Sequence, residues 1–310
     1  MAAQRVIRRA ALVLSVVAAT TLLPLAAEAT VGQAAAPARR AGNVSERLTE
    51  LAASASVATN QSADNRIAGL PTTGPGSLLH QPDGTFLANA RLTDVDAATE
   101  AALARAGARI TARSAPDHLV TLALDASAID AVAAVPGVEW LEEVLEPRVG
   151  RADLQGLAAA LGQDGATTSA ACSARIISEG DTQLGAATAR STYGVDGTGI
   201  KIGVLSDSYN NLGGAATDVS NGELPGTGNP CGYTTPVVVQ ADLASGGTDE
   251  GRGMAQAVHD LAPGATIMVA TAFNGDVDFA NQIRNLASSG AKVIVDDISY
   301  FNEPIYQDGI

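Results

Sequence analysis

Four carboxylates stand where an alternating strand and helix pattern places its chemistry. Asp207 follows the β-branched run Ile200-Lys201-Ile202-Gly203-Val204-Leu205. Asp296 and Asp297 close the run that begins at Lys292. Glu250 opens the amphipathic stretch Glu250 to Leu261. Two carboxylates held close together cannot both ionise easily, so such a pair can hold a proton and pass it on. Taken alone, Asp207 and the Asp296-Asp297 pair read first as loop carboxylates that cap turns. Glu250 is more informative. Met254, Val258 and Leu261 lie four, eight and eleven residues after it, which at ~100° per residue turns Glu250 toward the apolar, sheet-facing stripe. An inward carboxylate at a helix N-terminus costs desolvation unless partnered, and the helix dipole offsets part of that cost. Gly251 and Gly253 are poor helix formers in the same first turn, which implies a close approach by other chain or by substrate. His259 lies nine residues on, ~180° around the helix and on the order of 13 Å along it. It therefore reads as an exposed helix residue, and His80 and His118 read as ordinary surface or strand histidines.

The elements that must position these groups form two modules. Strand and helix alternate from Ile200 onward: a strand over 200–205, a short one over 236–240, a helix over 250–261, a strand over 266–271, a helix from Asp276 and a strand over 292–298. This implies an α/β fold with a parallel sheet covered by helices on both faces. The ligand site of such a sheet lies beyond the carboxyl ends of its strands. A separate pattern runs from 84 to 148. It has a strand over 85–92, a helix capped by Asp94, two strands over 109–114 and 118–124, a helix over 127–135 and a strand over 138–145. That βαββαβ order is a small α+β ferredoxin-like layout. The chain is thus divided into residues 1–29, 30–83 (linker with one short helix over 44–53), 84–148, 149–180 (linker) and 181–310.

Residues 1–29 read as a secretory signal peptide. Arg5, Arg8 and Arg9 precede an uncharged run, and Ala27-Glu28-Ala29 has the small-x-small form of a cleavage site. Export would carry Cys172 and Cys231 to an oxidising compartment, where one disulfide is the simple reading and two unpaired thiols the alternative. With 19 Lys and Arg against 33 Asp and Glu, the net charge of −14 argues against nucleic-acid binding. Aromatics at 3% argue against a stacking platform for sugars or bases. Two cysteines cannot make a four-cysteine zinc site.

Together these residues resemble the subtilisin-like serine peptidases and their sedolisin (serine-carboxyl) relatives. The segment Gly197 to Ser208 looks like the strand that delivers the catalytic Asp, with Tyr209 where the family usually has Gly. The helix resembles the His-Gly-Thr-x-x-Met-Ala motif: Gly251, Met254 and Ala255 match, and Glu250 occupies the His position. Leu261-Ala262-Pro263-Gly264-Ala265 matches the Val-Ala-Pro-x-Ala stretch that follows. Ile298-Ser299-Tyr300 resembles the strand whose backbone pairs with bound peptide, and residues 84–148 resemble the family's propeptide. Glu250 points toward the sedolisins, whose triad is Ser-Glu-Asp. There the Glu and Asp share one helix, four residues apart; here Met254 holds that spacing, so Asp207 is the expected partner.

The resemblance implies a secreted serine-type endopeptidase with catalytic Asp207 and Glu250. Ile298, Ser299 and Tyr300 would bind substrate, a polypeptide, and the chain's own propeptide would act as intramolecular inhibitor. No cofactor or metal residue is expected; some relatives bind calcium, but no contiguous oxygen-rich loop is found here. Neither nucleic acid nor, after signal cleavage, a membrane is an expected partner. The Gly-Thr-Ser-x-Ala helix and the Gly-Asn oxyanion segment are absent from residues 1–310. The nucleophile is therefore expected beyond Ile310, and this chain alone is expected to be inactive. Two other readings stand beside this one: a pseudoenzyme that keeps the fold without the chemistry, and a periplasmic-type solute-binding protein, whose first strand is similar to 200–207.

Overall fold

The computed structural model describes residues 42–56, 60–150, 176–302 and 310. The signal peptide expected over 1–29 lies outside the described residues, as does Cys172 with most of the linker expected over 149–180. The bridge expected between Cys172 and Cys231 therefore has one end outside them; Cys231 is described and is not free.

Helix α1 (Glu46–Ala53) agrees with the short helix read at 44–53. Ser45 caps it, accepting from the Leu48 N–H, and Leu48 and Leu51 are buried. A second helix, α2 (Gln61–Ile67), corrects the linker expected over the rest of 30–83. Its residues carry almost no apolar periodicity. Its sequence signal is the cap alone: the Asn60 side chain accepts from Ala63 N at 3.0 Å. Leu78 and Leu79 beyond it are buried as well, so this stretch packs against the module that follows.

That module is β1 (Phe86–Leu92), α3 (Ala97–Arg105), β2 (Arg109–Ser114), β3 (Leu119–Leu124), α4 (Ile129–Ala133) and β4 (Val138–Glu143). Its antiparallel sheet has the order β2-β3-β1-β4, the ferredoxin-like arrangement. The cap of α3 is Asp96, which accepts from Thr99 N, and not Asp94. Both aspartates have the chemistry; Val95 packs against the core, which leaves Asp96 at the start of the first turn. Along β1, Phe86, Ala88, Ala90 and Leu92 face the core under α1, α3 and α4. Leu87, on the opposite side of the pleat, is buried too. Both faces of this sheet are therefore covered.

What covers the second face is the other half of the chain. After β5 (Arg148–Val149) come α5 (Glu179–Gln183), α6 (Ala186–Tyr193), β6 (Lys201–Ser206), α7 (Ala215–Asn221), β7 (Val238–Val239) and α8 (Glu250–Leu261). Then follow β8 (Thr266–Thr271), α9 (Asp276–Ser288), β9 (Val293–Asp296) and β10 (Ile298–Ser299). Strands β7, β8, β6 and β9 form, in that order, a wholly parallel sheet. Val204 packs toward α8 with Ala255 and Ile267, while Leu205 packs toward α9 with Leu286 and Met268. The alternation of one strand thus builds a layer on each side. Gly203 lets α9 come close, since a Cβ there would lie 3.0 Å from Leu286 Cδ1. Helix α9 is in turn covered by β2 and β3. Among the described residues no helix is long and apolar enough to cross a membrane.

Candidate active site

Strands β6, β8 and β9 end side by side, and the acidic residues gather at those ends. The pairing Leu205↔Asp296 sets Ser206 beside Asp297 at the next register step. Helix α8 begins over the same edge. A Cβ on Gly251 would lie 2.7 Å from the Ser208 carbonyl oxygen and 3.2 Å from Ser206 Cβ. Gly251 is therefore required by contact with backbone, whereas a Cβ on Gly253 would meet nothing within 4 Å.

Asp207 is 2% exposed, and its carboxylate is occupied on both oxygens. Oδ1 accepts from the N–H of Ser208 and from Glu250 N at 3.0 Å. Oδ2 accepts from Thr248 N at 2.5 Å and from Thr248 Oγ1 at 2.6 Å. Its own carbonyl accepts from Thr271 Oγ1 at 2.6 Å. Asp207 thus ties the end of β6 to the start of α8 and to the end of β8. The link between the two expected catalytic residues runs from the backbone of Glu250 to the side chain of Asp207.

The start of α8 is held by a second acid, Asp249, at φ 60°. That left-handed conformation is unusual for a residue with a side chain. The Asp249 carboxylate accepts from Asn211 N at 2.7 Å, Leu212 N at 3.0 Å and Ser208 Oγ at 3.1 Å. It also pairs with Arg252, which reaches Asp218 at 2.9 Å. Burial raises the pKa of Asp249, but the N–H donors of Leu212 and Asn211, the Ser208 hydroxyl and Arg252 outweigh it, and the net shift is downward. Asp249 fixes the loop 208–212 against the start of the helix, where Glu250 is the next residue.

The inward stripe of α8 is Gly251, Ala255 and His259, one position round from the stripe read in the sequence. Glu250 stands at its margin, half-buried. His259 is fully buried, 5.2 Å from the Tyr233 ring in an edge-on contact, which corrects its reading as an exposed residue. Four-residue spacing from Gly251 could have found this.

Asp297, read in the sequence as a turn carboxylate, belongs to the cluster. Burial raises its pKa to about 6, the charges of Glu250 and Asp207 push the same way, and the Ser206 hydroxyl pulls against them. That hydroxyl stands short of hydrogen-bonding geometry, and Asp297 Oδ1 is buried with no hydrogen-bond partner among the described residues.

Ile298 and Ser299 form β10 and pair antiparallel with the chain's own β5, Ile298 opposite Val149 and Ser299 opposite Arg148. Gly150 N continues the ladder to the Asp297 carbonyl at 2.5 Å. Tyr300 is turned inward: its hydroxyl donates to Ala272 O at 2.6 Å and accepts from Gly275 N at 3.0 Å. A cavity of about 500 Å³ lies between the β5 segment and Asp207, lined by Pro147, Arg148, Val149, Asp207, Thr248 and Phe273. Among the described residues no group of three His, Cys, Asp or Glu side chains is arranged to hold a metal ion.

No model of a protein family matches the sequence. No curated protein matches it either. Among solved structures it is similar to fervidolysin from Fervidobacterium pennivorans, a keratinolytic enzyme related to subtilisin. The identity is 17%, the TM-score 0.32, and the match covers 74% of this chain and 39% of that structure. The chain thus spans well under half of that protein's length. The likeness is slight, and the functional reading rests on the geometry of the site.

Proposed function

We propose that residues 42–302 carry the propeptide and the acidic half of the active site of a serine-type endopeptidase. In this reading residues 1–29 direct export, polypeptide is the substrate, and Cys172 bridges to Cys231. The observation that supports it best is β5 lying antiparallel on β10 next to Asp207, an extended segment of polypeptide held by backbone pairing at the strand ends. Glu250 is the general base. A serine hydroxyl attacks the peptide carbonyl carbon, its proton passes to Glu250, and the C–N bond breaks as that proton moves to the leaving amine. Water then releases the acyl group by the same route. Neither Ser206 nor Ser208 is the nucleophile in this reading: Ser208 Oγ is engaged with Asp249, and Ser206 is 1% exposed. In this reading the nucleophile is a serine other than these two.

The test uses the natural gene product that contains this segment, held at about pH 4.5, near the range where carboxyls titrate. Appearance of a new N-terminus downstream of Gly150 reports self-processing. Glu250→Ala and Asp207→Ala are each expected to abolish it. Processing at the wild-type rate in Glu250→Ala removes Glu250 from the mechanism. One observation favours a second reading, a non-catalytic module: the Asp207 carboxylate is filled by its own chain's donors. That reading predicts no processing in the wild-type protein at any pH.

A further inference from the structure

We propose that Asp297 is the proton-holding partner of Glu250, a positioning residue that donates a hydrogen bond to the general base. The proposal rests on the peptidase reading and replaces Asp207 in one role. A carboxylate offers about four lone-pair positions. Those of Asp207 are taken by Ser208 N, Glu250 N, Thr248 N and Thr248 Oγ1. A proton shared between Asp207 and Glu250 has no place unless one of these bonds breaks. Asp297 is in the opposite condition, because its Oδ1 is buried with no hydrogen-bond partner among the described residues.

Position agrees with capacity. Asp297 stands beside Ser206 in the sheet register, and Gly251 rests on Ser206, so the first turn of α8 lies over the same edge. An extended segment of the chain's own polypeptide crosses this point, with Gly150 N bonded to the Asp297 carbonyl. The charged groups facing Asp297 are Glu250 from α8 and Asp207 from the end of β6, both acidic. Arg148 on β5 pairs one residue further on, with Ser299. The environment therefore favours the neutral form of Asp297. In that state Asp297 O–H donates to the Glu250 carboxylate and leaves its second oxygen for the serine proton. Once Asp297 ionises it repels Glu250 instead of orienting it.

Two measurements test this. The first is a 13C NMR titration of Asp side-chain carboxyls in the 1–310 protein, which needs no peptidase activity. Asp297 is expected to titrate near 6, and Glu250→Gln is expected to lower that midpoint by about one unit by removing a like charge. An Asp297 midpoint at the ordinary value, or one unmoved by Glu250→Gln, overturns the pairing whether or not the protein is a peptidase. The second is the pH profile of self-processing in the natural gene product. Wild type is expected to lose rate above about pH 6, where Asp297 ionises. Asp297→Asn still donates a hydrogen bond at every pH, so its loss of rate above that point should vanish. Asp297→Ala should be slow throughout. A profile for Asp297→Asn that falls with the wild-type midpoint overturns the positioning role. Absence of processing in wild type bears on the peptidase reading, and the titration then decides the pairing alone.

Discussion

The sharpest test at the level of single residues compares two glycines two positions apart. Gly251 has no room for a Cβ, which would meet the Ser208 carbonyl oxygen at 2.7 Å, and backbone cannot easily yield. Gly253 is exposed, helical and open on every side. Gly251→Ala should therefore destabilise by about 1–3 kcal/mol through overpacking. Gly253→Ala should stabilise by roughly 0.5–1 kcal/mol through helix propensity. Urea unfolding midpoints of the two variants should move in opposite directions, and a shared sign would contradict the packing described. Much of this corner was legible in the sequence: Asp207 after a β-branched run, Glu250 at a helix start, and a glycine flagging close approach. Two residues were not. The wheel drawn from Glu250 through Met254 is only 100° away from the true stripe of Gly251, Ala255 and His259, and a small residue at each of its first two steps hides it. Asp297 by sequence alone reads as a turn residue, because only the register Leu205↔Asp296 places it beside Ser206.

Among the elements, the longer strands were legible, and so were the short helices α1 and α4 with their apolar stripes, but β5, α2, α6 and α7 were not. β1, β3, β6 and β8 announce themselves by β-branched or alternating apolar residues. Helices α2, α6 and α7 are short and polar or Ala-rich, and α6 and α7 bury no residue fully, so no apolar stripe marks them. The second buried face of the antiparallel sheet was also hidden, since Asn89 and Thr121 look like solvent-facing positions. They are instead the contact with α9. Asn89 Nδ2 donates to Asp276 Oδ1 at 2.7 Å, and Thr121 Oγ1 donates to Asn89 Oδ1 at 2.8 Å. Asp276 also accepts from Asn302 Nδ2 at 2.5 Å and from Val277 N at 3.0 Å. The group is buried, so removing one member leaves a carboxylate short of donors at a cost of about 1–3 kcal/mol. Asn89→Ala should lower the urea midpoint. Asn89→Ala combined with Asp276→Ala should cost less than the sum of the two, with a coupling of about 0.5–3 kcal/mol. Simple additivity would mean that the bond spanning 187 residues contributes nothing to holding β1 on α9.

For the molecule as a whole, the carboxyls at this contact set how stability varies with pH. Burial raises the pKa of Glu142, helped by the charges of Glu143 and Asp276, although Trp140 donates to it. Glu142 lies opposite Asn89 in the sheet, so it faces the start of α9. Burial raises Asp278 too, against donors from Gln282 and Asn274. Asp297 at the strand ends is raised to about 6. Each of these groups holds its proton more tightly in the folded chain than in the unfolded one. The stability they contribute is therefore complete below about pH 4, the ordinary carboxyl range, and is lost as pH rises through the folded values. Asp249 and Asp117, whose values are lowered, act in the other direction and cost stability only as the pH falls through their folded values. Between about pH 4.5 and 7 the raised set governs the slope. The urea midpoint of the 1–310 protein should accordingly fall over that interval. In the double variant Glu142→Gln with Asp278→Asn the fall should shrink, because two of the groups that must ionise inside the contact are gone, while the drop due to Asp297 remains. An equal or steeper fall in the variant would place the pH dependence elsewhere. A shallower one would mean that acidity tightens the antiparallel module on α9, in the same range where a proton shared by Asp297 and Glu250 would keep the site in order.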